Sequence, residues 1–482
     1  MVINMILKKA FSLMICLIIS AAMLVSCENV KPVINTSNPD GEEEEEQVSQ
    51  LPSSEEYEGT EFTVAVPSEK YDLFIRDEES ESIVGSAVEK RNQLINNKYG
   101  VNIEVKTVNI NNVSDELKAA QEAGINFADL LCLPGETLVS LVNDKLLYNL
   151  LSSADFDIES MYIDTEDAKS ITVNNSLYML YDSATQYYDD SWIVFYDKDL
   201  IANAGLLDPA YLAENGEWTW EKFKEYSETV ASAVMNKGTV DNATDIFGFS
   251  SFYSKSELPL AMWESCGVPM FGDTYRKEVA ITSNLTQVQE STDTLELIYL
   301  SNSCFKKEGI DVTSAFLEGR LAFFVGKLNY AISLEEETQK GNYKREWGLL
   351  PLPKLNKLQS NYCTFVDPDA YAFAIPANIT DATRSVTILN AFCAASGDSI
   401  KNAVYNKYVN KFFRNNTSTV LFKTILDTGY FDMAALFGSR TEKVADISTE
   451  LIIDAIVNNG ALERPISDKL AGFIAYSKEN YD

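Results

Sequence analysis

Histidine is absent from the 482 residues of this chain. That excludes Ser-His-Asp and Cys-His nucleophile systems as usually built, H-E-x-x-H zinc sites and haem held by histidine. Cysteine is scarce. Of the seven, Cys16 and Cys27 fall near the N-terminus. Cys132, Cys266, Cys304, Cys363 and Cys393 are odd in number and lack C-x-x-C spacing, which argues against a disulfide framework or a metal cluster. They read as small buried hydrophobes. Positive charge is short, with 39 Lys and Arg against 72 Asp and Glu, a net −33. Such a chain repels phosphate backbones, so no nucleic-acid partner is expected. Beyond residue 27 no uncharged apolar run approaches the ~18 residues of a membrane span. Gly319 to Lys327 is a poor phosphate loop, with the wrong spacing and Leu328 where Ser or Thr should follow the lysine. What is present, 46% apolar and 11% aromatic residues, can bury a large core of two or three structural units.

The one long apolar run lies at the start. Lys8-Lys9, then Ala10 to Val25, then Ser26-Cys27 are the parts of an export signal over residues 1–26, the alternative being an uncleaved anchor. Leu24-Val25-Ser26-Cys27 resembles the lipobox of bacterial lipoproteins. That resemblance implies a lipid on Cys27 and a protein held at the extracellular face of the cell membrane. Residues 27–59, with a glutamate run from Glu42 to Glu46, cannot form a core and read as a disordered, self-repelling acidic tether.

Folded sequence is expected from about residue 60. Strands over 62–66, 101–108 and 128–133 alternate with helices over 82–99, 114–123 and 136–147. Ser114 is expected as an N-cap and Gly100 as a stop. This order predicts α/β architecture with a mainly parallel sheet flanked by helices, and ligands at the C-terminal edge of the strands. The second half is more helical, at 220–235 (capped by Thr219), 286–300, 313–318, 380–395, 399–413, 417–428 and 446–459. Short strands recur at 193–196, 321–325 and 371–375.

Five stretches, taken in order, resemble the large two-lobed extracellular solute-binding proteins of ABC importers, sugar binders among them. They are Ala128-Asp129-Leu130-Leu131 with Leu141 to Leu150, Phe195 to Leu200 with Ala204-Gly205-Leu206, Trp218 to Phe223, Phe316 to Ala322, and Gly348 to Pro353. The resemblance implies a periplasmic-binding-protein-like fold, each lobe a mainly parallel sheet, with solute in the cleft between. Lobe one is then 60–182 and 363–397, lobe two 186–358 and 400–482, and the chain crosses near 181–185 and 354–364. It also implies a monomer that captures a small solute, in the first place an oligosaccharide, and delivers it to ABC permease subunits by hinge closure. No cofactor, metal or catalytic residue is expected. A carboxylate-based surface glycoside hydrolase and a surface adhesin or sensor subunit are the alternatives.

Flat rings beside carboxylates suit a sugar. The candidate contacts are Tyr71 after the first strand, Asp182, Tyr187 and Trp192 in an aromatic-rich crossing, Trp263 and Glu264 before a turn, Tyr330, and Asp367 with Asp369 leading into Tyr371. Tyr187 and Trp192 read equally as cleft or core. Trp218 and Trp220 read as anchors of the helix they open. Many sugar binders of the family have a stacking tryptophan where this chain has Leu328.

Overall fold

The computed structural model describes residues 51–53, 56–76, 82–235, 241–252, 257–269, 275, 285–302, 305–341, 346–412, 416–438 and 455–456. The expected export signal, Cys27, the glutamate run, Cys304 and nearly all of the helix expected over 446–459 lie outside them. Among the described residues no helix is long and apolar enough to cross a membrane.

In chain order the strands are β1 Thr60–Pro67, β2 Val101–Val108, β3 Leu130–Pro134, β4 Trp192–Asp197, β5 Phe247–Ser250, β6 Leu321–Lys327, β7 Trp347–Pro351, β8 Thr364–Phe365, β9 Tyr371–Ala374 and β10 Gly429–Tyr430. The helices used below are α1 Ile83–Tyr99, α2 Val113–Ala123, α3 Gly135–Asn143, α4 Trp220–Met235, α5 Glu257–Glu264, α6 Tyr330–Gln339, α7 Ala382–Phe412, α8 Asn416–Asp427 and α9 Met433–Gly438.

Two four-stranded sheets organise the chain, in orders β2-β1-β3-β9 and β5-β6-β4-β7, and β8 and β10 form a small parallel ribbon. β1 runs parallel to β2 and β3. β9 returns from far along the chain and pairs antiparallel with β3. The second sheet departs further from the expectation. β4 is antiparallel to both β6 and β7, and only β5 and β6 pair in parallel. Three strands of each sheet share a direction, so each keeps one edge rich in strand C-termini.

Local chemistry explains α1 well. The Ser82 hydroxyl accepts the Gly85 N–H, and Gly100 closes the helix in the left-handed region at φ 60°. Its buried stripe is Val84, Val88, Arg91, Ile95 and Tyr99, the three-and-four spacing of one helical face. Ile83, next to that stripe, is 46% exposed. The guanidinium of Arg91 donates to the Leu73 carbonyl at 2.8 Å and lies over the rings of Phe74 and Phe392. Burial lowers its pKa to about 10. Ser114 does not cap α2, which starts one residue earlier. Its hydroxyl reaches Asp144 instead, at 2.8 Å. α3 stops at Asn143, short of the expected 147, because Lys145 adopts a positive φ of 59°. The helices expected over 380–395 and 399–413 are one element, α7, kinked at Gly397.

The packed body begins before residue 60. Leu51 is buried, the Tyr99 hydroxyl donates to the Pro52 carbonyl at 2.6 Å, and the Tyr57 N–H donates to Tyr99 at 2.7 Å. A tether running to residue 59 is therefore too long by several residues. α7 packs on α1 at its start and reaches the second sheet at its end, where Phe412 lies against Trp347. Trp218 and Trp220 are fully buried, as expected of anchors, with indole N–H groups on the Pro351 carbonyl and the Ser265 hydroxyl.

Candidate functional site

The two sheets meet where β4 begins, β6 ends and the chain turns into β9. Trp192 and Lys327 are direct cross-strand partners. One residue earlier, Ser191 bridges Val366, which brings Asp367 to the same point. The buried carboxylate of Asp367 accepts the Trp192 indole N–H at 3.0 Å and the Asp369 N–H at 3.0 Å, and pairs with the Lys327 ammonium at 3.2 Å. The Asp367 N–H donates to the Asp190 carbonyl at 3.1 Å. Asp190 faces Lys327 from the other side at 3.9 Å.

Burial dominates the electrostatics here. It works against the charge on Lys327, yet Asp367 and Asp190 outweigh it and raise the lysine's pKa. Burial lifts Asp190 to about 6 although Lys327 and Lys70 pull it down. Lys70, just beyond β1, also lies over the Tyr371 ring at 5.1 Å. The edges of both sheets thus contribute to one polar cluster.

Tyr181 borders this cluster. Its pKa lies well above the ordinary value, through burial first and then through Asp367, Asp369, Asp190 and Glu136. The absence of a side chain at Gly135 is what admits it. A Cβ there would collide with the Tyr181 hydroxyl and stand 2.6 Å from the Pro368 carbonyl.

The expected contacts separate into groups. Asp367, Asp369 and Trp192 come together around Lys327, with Asp369 exposed and Trp192 wholly buried. Tyr187 is buried against Tyr188 and the edge of Phe431. Asp182 turns away. It caps the turn at 183–185 through the Ala184 N–H at 2.8 Å and sits in the interior near Cys393 and Arg91, where burial lifts it to about 6. Trp263 is core on α5, and Glu264 accepts the Tyr430 hydroxyl. Tyr71 is 42% exposed beyond β1. Tyr330 opens α6 and lies 4.8 Å from Phe252, itself 38% exposed at the end of β5, while Leu328 is buried outright.

Sequence reasoning did not select Lys327, Asp190, Tyr181, Phe252 or Phe431. For Lys327 the available signal was a lysine ending an apolar strand. Among the described residues no group of three or more acids or cysteines could hold a metal ion. The site is therefore a largely buried group of acids around Lys327, bordered by the rings of Trp192, Tyr181 and Tyr371. It can hydrogen-bond and stack a polar solute.

No curated protein matches the chain significantly. Solved structures share its fold. The sugar-binding protein MalE of Xanthomonas citri is 13% identical over 87% of this chain and 98% of its own, with a TM-score of 0.55. The galacto-N-biose and lacto-N-biose I binding protein of a Bifidobacterium longum ABC transporter is 14% identical over 88% and 98%, also at 0.55. MalE of Listeria monocytogenes, solved with maltose, is 13% identical over 88% and 99%, at 0.54. Identities this low speak to fold alone. The sequence profile described as bacterial extracellular solute-binding protein matches residues 92–403, a stretch that runs from within α1 to within α7 and takes in β2 through β9. On that match the chain belongs to the bacterial extracellular solute-binding protein family.

Proposed function

We propose that this protein captures an oligosaccharide outside the cytoplasm and delivers it to the permease subunits of an ABC importer. The observation that carries the reading is the cluster where the two sheet edges meet. Asp190, Asp367 and Asp369 offer acceptors for sugar hydroxyls, and Tyr71, Phe252 and Tyr330 offer ring faces on exposed or part-exposed ground. The sugars named for the structural neighbours support the same class. Lobe one is 60–182 and 363–397, lobe two 186–358 and 400–482, and closure about the crossings buries the solute. A lipid on Cys27 and the acidic residues after it keep the monomeric body at the membrane, within reach of a permease.

The test is calorimetric titration of dialysed protein with a panel of malto-oligosaccharides and β-linked disaccharides, paired with thermal melting. Saturable heat and a raised melting temperature are expected. Silence across the panel would overturn the reading.

A further inference from the structure

Tyr181 is 3% exposed, and its hydroxyl has no hydrogen-bond partner among the described residues. A buried hydroxyl left unpaired carries a desolvation penalty, so its presence at the polar cluster calls for a partner. Its ring is covered face to face by Phe431, with centroids 3.9 Å apart and planes 15° apart. Phe431 belongs to a segment that leaves the β8–β10 ribbon and crosses the same point. Met433, Ala435, Leu436 and Phe437 behind it are buried, and Leu436 lies beside Gly135. A flat apolar body on a tyrosine face, next to an unpaired hydroxyl and several carboxylates, is the arrangement that would satisfy a pyranose ring.

We infer that Tyr181 is the ring platform of the solute site, and that Phe431 holds that place in the unliganded protein until a saccharide displaces it. The inference rests on the solute reading above. The Tyr430 hydroxyl donates to Glu264, whose pKa is raised well above the ordinary value by burial first and then by Asp432, and the Asp432 carboxylate accepts the Ala435 N–H at 2.8 Å. Because the site is open only in molecules whose segment has swung out, apparent affinity is reduced by that fraction.

The experiment combines hydrogen exchange with titration by the same saccharide panel, on the wild type, Phe431→Ala and Tyr181→Phe. Amides of residues 429–437 are expected to be protected without sugar and to exchange faster at saturation. Phe431→Ala is expected to bind about three- to tenfold tighter. Tyr181→Phe, which keeps the ring and removes one hydrogen bond, is expected to bind about tenfold more weakly with its melting temperature unchanged. An unprotected segment in the unliganded protein, or weaker binding by Phe431→Ala while the wild type binds, overturns the displacement and leaves the solute reading standing. A protected segment with wild type and Phe431→Ala both blind to every saccharide overturns the solute reading, and this inference with it.

Discussion

The Trp192 indole donates to Asp367 at 3.0 Å across 175 positions of sequence, and Lys327 closes on the same carboxylate. Breaking a buried ion pair from one side strands the other charge. Asp367→Asn is therefore expected to lower unfolding free energy by about 3–5 kcal/mol, since Lys327 keeps its charge and loses the carboxylate that pairs with it at 3.2 Å. Lys327→Met added to Asp367→Asn should recover part of that loss. Urea unfolding of the single and double variants measures both terms. Equal stability of the two variants would show that the pair is uncoupled.

Gly135 is required by close approach. Gly135→Ala sets a methyl against the Tyr181 hydroxyl and the Pro368 carbonyl. Overpacking of this kind costs about 1–3 kcal/mol. A lowered melting temperature is the expected readout.

Asp182 sets a pH dependence. Its pKa is lifted from 3.8 to about 6, chiefly by burial. A carboxyl whose folded pKa is raised contributes stability that is whole below its unfolded pKa and is lost as pH rises through the folded one. The wild type should therefore lose up to about 3 kcal/mol from this group between pH about 4 and about 6. Asp182→Asn retains an acceptor for the Ala184 N–H and should flatten that part of the stability curve. Chemical unfolding at several pH values tests it, and identical curves for the two proteins would discount the group.

Phe252 lies against Tyr330 and Phe324 at the end of β5 while remaining 38% exposed. Phe252→Ala should weaken saccharide binding about three- to tenfold, the worth of one stacking ring. Its melting temperature should move little, because so much of the ring is already in water.

Cys27→Ala should move the protein from the membrane fraction to the medium and abolish incorporation of a labelled fatty acid. Retention of the label by the variant would rule out Cys27 as the lipidated residue.

Much of the first sheet was legible because its signals are local. Ser82, Gly100 and the stripe from Val84 to Tyr99 mark α1 without reference to anything distant. The direction of β9 and the central place of β4 were not legible, since both depend on pairing with strands far away in sequence. The same reason hid Lys327, whose role exists only because β6 places it opposite Trp192 and the return of the chain supplies Asp367. Arg91 occupies a helix face that an apolar pattern alone would leave incomplete, and its partners are the Leu73 carbonyl and the Asn92 side chain, which no motif announces. Phe431 lies in a short segment with no periodic pattern. Trp263 and Asp182 were singled out for their chemistry, but neighbouring elements enclose them. The acids and rings of the site were visible as a class, and which of them met was decided by topology.

The antiparallel pairing of β3 with β9 bears on the order in which the molecule can be completed. The second sheet draws on one continuous stretch, residues 192–351. It can close while the remainder of the chain is still emerging. The first sheet begins at residue 60 and keeps an open edge on β3 until residues 371–374 arrive. Arg384, whose guanidinium clasps the Asp129 carboxylate at 2.5 Å, comes later still. An unpaired strand edge invites association with other chains, and distant pairings form slowly. The earliest part of the body to appear is thus among the last to be finished.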